Sequence, residues 1–121
     1  MTSGHTITIT PSDLHVEVRV DGQKVAESDH PVLLDETGLP TRYYLPTDDV
    51  RTDLLKPTEF HTTCPFKGEA SYWSVEVDGV SHDGIVWAYE TPIPAATDIA
   101  GYLSFYPDRV EITVDGEALA A

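Results

Sequence analysis

From Leu14 to Val20 apolar and polar residues alternate without a break: Leu14, Val16, Val18 and Val20 are separated by His15, Glu17 and Arg19. Successive side chains of a strand point to opposite faces, so this spacing predicts a half-buried β-strand. Asp21-Gly22 follows, a dipeptide suited to a two-residue hairpin because Gly tolerates positive φ. Gln23 to Ser28 is then the returning strand. Before them, Thr6 to Thr10 is a β-branched run ended by Pro11-Ser12-Asp13.

The same grammar recurs along the chain. Val-Asp-Gly stands at Val20-Asp21-Gly22, Val77-Asp78-Gly79 and Val114-Asp115-Gly116. The flanking sequences share nothing wider, so these are strand-ending turns and not a repeat. Further strands are predicted over Arg42 to Leu45, Glu69 to Val77, Ile85 to Glu90, Tyr102 to Tyr106 and Val110 to Val114. Two short helical segments are expected. One is charged at its start by Thr47-Asp48-Asp49 and stops at Lys56 before Pro57; the other runs from Pro94 to Ile99 and stops at Gly101. Strand spacing of this kind predicts a mostly β, antiparallel fold with local connections. At 121 residues, with no linker or low-complexity segment, 1–121 is expected to form one domain.

Charge narrows the partners. Twenty-one acidic residues face seven basic ones, for a net charge of -14, and the Lys and Arg are scattered. Nucleic acid and anionic membrane surfaces both need clustered positive charge, so neither is an expected partner. The first ten residues lack the pattern of a signal peptide, and no apolar run approaches the ~18 residues of a membrane span; the expected compartment is the cytoplasm. Acidity of this strength fits a salt-adapted protein as well as an ordinary soluble one. Cys64 is the one cysteine, which excludes an internal disulfide and a cysteine-based zinc cluster. His5, His15, His30 and His82 show no ligand-pair spacing, so no metal site and no cofactor are predicted.

The most distinctive stretch is His61-Thr62-Thr63-Cys64-Pro65-Phe66-Lys67-Gly68-Glu69-Ala70-Ser71-Tyr72-Trp73. Arg42-Tyr43-Tyr44-Leu45-Pro46 and Asp49-Val50 precede it. Val86-Trp87-Ala88-Tyr89-Glu90-Thr91-Pro92, Ile99-Ala100-Gly101-Tyr102 and Ser104-Phe105-Tyr106 follow. This ordered set, from about Val16 to Gly116, resembles the bacterial family called domain of unknown function 427. The resemblance implies compact, coiled antiparallel sheets similar to the β-tent group, which includes methionine sulfoxide reductase B and the ligand-binding domain of cereblon. β-Tent relatives often pin their sheets with a four-cysteine zinc site; with Cys64 alone, packing must replace the metal. The family also carries a nucleotidyltransferase-like label. No Gly-Ser turn followed by Asp-x-Asp supports it here, since Asp48-Asp49 are adjacent and would diverge on a strand, and no Gly-rich phosphate loop is present.

Three sets of residues can carry chemistry. Cys64 is a candidate nucleophile, with the Lys67 ammonium favouring its thiolate and His61 as base or orienting donor; alternatively it is a packed thiol at a bend. Trp73 lies in phase with Val75 and Val77, and Trp87 with Ile85 and Tyr89. If these strands pair across a loop from Asp78 to Gly84, Trp73, Trp87 and Tyr89 share one face, as a wall for a planar or cationic ligand or as plain core. Arg42 or Arg51 beside Tyr43 can clamp a carboxylate or phosphate, or else pair with acidic neighbours. Glu90 can serve as acid or base if partly buried. The leading expectation is a small-molecule-binding domain built on Trp73, Trp87 and Tyr89, with Lys67 and Arg42 as polar anchors. The alternatives are a thiol enzyme using Cys64 and a structural or partner-binding module. Whether the chain is an enzyme, and its oligomeric state, are left open.

Overall fold

The computed structural model describes residues 6–65 and 67–119, so His5 and Phe66 lie outside the described residues. Its architecture is two antiparallel sheets. The strands in chain order are β1 (Ile7–Pro11), β2 (Val16–Val20), β3 (Gln23–Ser28), β4 (Val32–Glu36), β5 (Arg42–Leu45), β6 (Leu55–Cys64), β7 (Gly68–Val77), β8 (Val80–Ala88), β9 (Leu103–Phe105), β10 (Glu111–Val114) and β11 (Glu117–Ala118). A seven-stranded sheet runs β1-β4-β5-β9-β8-β7-β6, and a four-stranded sheet runs β11-β10-β2-β3.

The predicted alternation gives β2 its inward face: Val16, Val18 and Val20 are buried while Glu17 and Arg19 are half-exposed. These valines and Val25 of β3 pack on Val75, Val77, Ile85, Leu103 and Phe105 of the larger sheet. Each Asp-Gly pair forms a turn with positive φ at both residues: 51° at Asp21, Asp78 and Asp115, and 80°, 79° and 84° at the following glycines. Two successive positive φ values make the turn that matches the twist of a hairpin, and Asp is among the few non-Gly residues that take them readily.

The expected short helical segments are present as 3-10 helices. Thr47–Asp49 and Thr52–Leu54 are separate turns, and neither has a side-chain cap. The Thr47 hydroxyl donates instead to the Gly101 carbonyl, 2.9 Å away. Lys56 belongs to β6, so the predicted helix end at Pro57 falls inside a strand. Pro94–Ile99 is 3-10 as well, broken at Ala96.

A second core lies on the far face of the larger sheet. It gathers Val32, Leu34, Tyr44, Ala70, Tyr72, Trp87, Tyr89, Ala96 and Ile99. Directly opposed residues on neighbouring strands point to the same side. The pairs Val32 with Tyr44, Tyr44 with Ser104, Ser104 with Trp87, and Trp87 with Tyr72 therefore form one continuous row on this face. At its centre the small, buried Ser104 turns its hydroxyl back to the Tyr43 carbonyl at 2.8 Å. The indole and phenol on either side meet edge to face, with ring centroids 6.2 Å apart.

Candidate functional site

Register decides which predicted residues meet. The turn at Asp78-Gly79 has two residues, and Val77 pairs with Val80. The expected loop from Asp78 to Gly84 is instead mostly strand. Beyond it the register shifts, with Val75 opposite His82 but Trp73 opposite Val86, and the Ser74 hydroxyl accepts from the Gly84 N–H at 3.1 Å. A shift of two residues preserves parity, so Trp73 shares a face with Val86, and Trp87 shares one with Tyr72. The expected wall of Trp73, Trp87 and Tyr89 is thus divided by the sheet. Trp73 packs against the core between the sheets, whereas Trp87 and Tyr89 belong to the far face.

On that face, β4 presents Leu34 and Glu36, β5 presents Arg42 and Tyr44, β7 presents Tyr72, and β8 leads from Trp87 to Tyr89. All of these but Leu34, together with Lys67, Tyr106, Leu39 and Pro40, line a cavity of about 160 Å³. The Lys67 ammonium is buried against Glu36 at 2.6 Å and stands 5.7 Å from the Tyr89 ring centroid. The Arg42 guanidinium carbon stands 5.4 Å from the Trp87 ring centroid. Trp87 Nε1–H donates to the Tyr44 hydroxyl at 3.0 Å, and Tyr106 packs on the indole at a centroid distance of 4.5 Å.

Burial pushes the Tyr44 and Tyr89 phenols well above their ordinary range, because the phenolate cannot be hydrated there. Burial likewise carries Tyr106 up to about 12, with the Tyr72 hydroxyl adding to the rise. Tyr44 accepts from Trp87, and neither its own O–H nor that of Tyr89 has an acceptor among the described residues.

Arg42 and Arg51, equivalent on paper, have opposite fates. Arg51 is held by Asp53 through two bonds of 2.9 and 2.7 Å. Arg42 has no carboxylate partner among the described residues, in a chain with 21 acidic side chains. Tyr43 points the other way, toward the core between the sheets. Glu90 is exposed and borders a separate hollow of about 310 Å³ on that side, together with Trp73, Leu55 and Ala88.

The thiol set is also separated. His61 pairs with Ser71 and Cys64 with Gly68, so their side chains leave β6 on opposite faces. His61 Nδ1 lies 3.4 Å from the Ser71 hydroxyl, in an exposed position. Cys64 is half-buried against the far-face core. Lys67, expected to approach the thiol, gives its ammonium to Glu36. Among the described residues, His15, Glu17 and Glu27 lie close enough to share an ion, but Arg19 and Lys24 already neutralise the two glutamates.

Glu36, Tyr44, Tyr72 and Tyr106 also line the cavity; the three tyrosines stand in the distinctive motifs, but none of the four is a site residue expected from the sequence. Tyr72 is the one that alternation marks, because it stands in phase with Ala70 and out of phase with Trp73.

The family model described as a domain of unknown function (DUF427) matches residues 8–116. The chain belongs to this family. The match begins ahead of Val16 and takes in most of β1, whose pairing with β4 fixes the edge beside Glu36. The DUF427 segment thus contains every residue of the cavity. No curated protein matches the chain. No helix among the described residues is long and apolar enough to cross a membrane.

Proposed function

We propose that this DUF427 domain binds a small molecule in the far-face cavity, with Trp87 and Tyr89 as its aromatic walls and Arg42 and Lys67 as its charged groups. The observation that carries the reading is the convergence of these four side chains, drawn from β5, β8 and the residue just past it, and the β6–β7 turn, on one hollow. Pockets for drug-sized ligands usually enclose about 300–1,000 Å³, so a hollow of about 160 Å³ suits a much smaller compound. The Arg42 guanidinium strengthens the reading. A surface arginine in so acidic a chain ordinarily finds a carboxylate, and this one is held on an indole with donors to spare.

The thiol-enzyme alternative has no comparable support, because Cys64 and His61 leave opposite faces of β6 and Lys67 is engaged by Glu36. Nor does the nucleotidyltransferase-like label gain a paired carboxylate site from Asp48-Asp49, since Asp49 is bonded by the Ser28 hydroxyl at 2.7 Å.

A screen of small fragments by heteronuclear NMR tests the proposal. Fragments that fit should move the Trp87 indole N–H resonance and leave that of Trp73, across the sheet, in place. A library that moves neither indole, or moves Trp73 alone, ends the reading.

A further inference from the structure

The chemistry of the cavity also points to the charge of what it holds, an inference that rests on the binding reading above. Aromatic rings attract cations to their faces, and an empty aromatic hollow would ordinarily suggest a cationic ligand. Here both of the principal rings already carry one of the protein's own cations: Lys67 at Tyr89 and Arg42 at Trp87. A second cation would meet like charge at either wall.

The balance of charge runs the other way. Lys67 and Glu36 form a close pair and largely cancel. Arg42 is left as the uncompensated charge on the lining, since Asp108, whose field reaches Tyr106, makes no ion pair with it among the described residues. A guanidinium offers five N–H donors in a planar fork matched to a carboxylate. A second donor stands on the same lining, the O–H of Tyr89. A hollow rich in donors, walled by rings and carrying one net positive charge is built for an oxygen-bearing anion with a flat or apolar body.

We infer that the far-face cavity selects a small planar carboxylate, its carboxylate on the Arg42 guanidinium and its body against Trp87 and Tyr106. A hollow of about 160 Å³ is small beside the roughly 300–1,000 Å³ of pockets for drug-sized ligands, which favours a simple aromatic or short unsaturated acid over a nucleotide.

Three probes of one shape test this: benzoate, benzamide and benzamidine, titrated into the isotope-labelled full chain with the Trp87 indole N–H as readout. Benzoate should move that resonance, and benzamidine should not. Arg42→Gln should weaken benzoate at least tenfold, and Arg42→Lys, which keeps the charge and loses the fork, should fall between. Each variant is first checked for an unchanged Trp73 indole N–H resonance without ligand, which lies across the sheet from Arg42 and reports an intact fold. If benzamide or benzamidine matches benzoate, or Arg42→Gln binds benzoate as well as the natural chain does, the carboxylate inference is overturned while the cavity reading stands. If none of the three probes moves Trp87 but other neutral fragments do, the inference is likewise overturned. If nothing moves Trp87, both fall together.

Discussion

The Lys67 ammonium lies 2.6 Å from a Glu36 carboxylate oxygen, and the two side chains are only 11% and 7% exposed. The pair ties the turn between β6 and β7 to the end of β4, 31 residues away in the chain. Breaking a buried pair by removing one partner commonly costs about 3–5 kcal/mol, because the other charge keeps its desolvation without its counterion. Lys67→Met should therefore destabilise the fold by roughly 3 kcal/mol in urea unfolding. Replacing both partners, with Glu36→Gln added, should recover much of that loss. A double variant no more stable than the single one would show that the pair is not the source.

Tyr44→Phe removes the acceptor of the Trp87 indole N–H and leaves that donor buried. An unsatisfied buried donor costs about 1–3 kcal/mol, so the variant should lose stability on that scale although the change is one oxygen. Hydrogen exchange at Trp87 Nε1 should quicken at the same time. Unchanged exchange would mean that the indole finds another acceptor.

What was legible in the sequence follows from how evenly each strand is buried. Strand β2 declares itself because its faces alternate between buried and half-exposed, and β3 follows from the Asp21-Gly22 turn, since Val25 and Ala26 are both buried. Strand β6 does not: from Leu55 to Cys64 it is a sheet edge, exposed or half-exposed throughout, so no period of two appears. In β4, the buried phase that holds Val32 and Leu34 ends in Glu36, a charge that reads as surface until Lys67 is placed beside it. The separation of Trp73 from Trp87 and Tyr89 does have a signal in the sequence. Val77-Asp78-Gly79 repeats the Val20-Asp21-Gly22 hairpin signal, and a two-residue turn puts the two indoles on opposite faces unless a later bulge shifts the register by an odd number of residues, which the observed shift of two does not. The roles of Arg42 and Arg51 were separable only in part: Asp53 stands two residues beyond Arg51 and pairs with it, but nothing local shows that no acid reaches Arg42.

Gly68 and Gly79 both have positive φ, at 118° and 79°, but their surroundings differ. A Cβ on Gly79 meets nothing within 4 Å, whereas on Gly68 it would lie 3.2 Å from the Pro92 Cα and 3.3 Å from the Ile93 nitrogen. Gly79→Ala should cost about 1 kcal/mol of backbone strain. Gly68→Ala should cost more, about 2–3 kcal/mol, because it adds a clash with main chain to an angle that only glycine adopts readily. It should also disturb Lys67, whose carbonyl accepts from the Ile93 N–H at 2.9 Å. Equal losses in the two variants, measured by thermal unfolding, would remove the close approach as the reason.

His15 gives the fold a dependence on pH near neutrality. Its ring bridges Asp29 through Nδ1 and Glu27 through Nε2, the latter at 2.7 Å, and these hydrogen bonds, Asp29's first, hold its pKa above the usual 6.5. A group whose folded pKa is raised contributes its full stabilisation below the unfolded value and loses it as pH rises through the folded value. Stability attributable to His15 should therefore be complete at about pH 6 or below, provided the carboxylates remain ionised, and should decline as the pH climbs past the folded pKa. Urea midpoints between about pH 5 and 9 should fall for the natural chain and flatten in His15→Asn. Because the ring is well exposed and screened, moderate salt should reduce the effect. A pH slope that survives in His15→Asn would place its origin in another group.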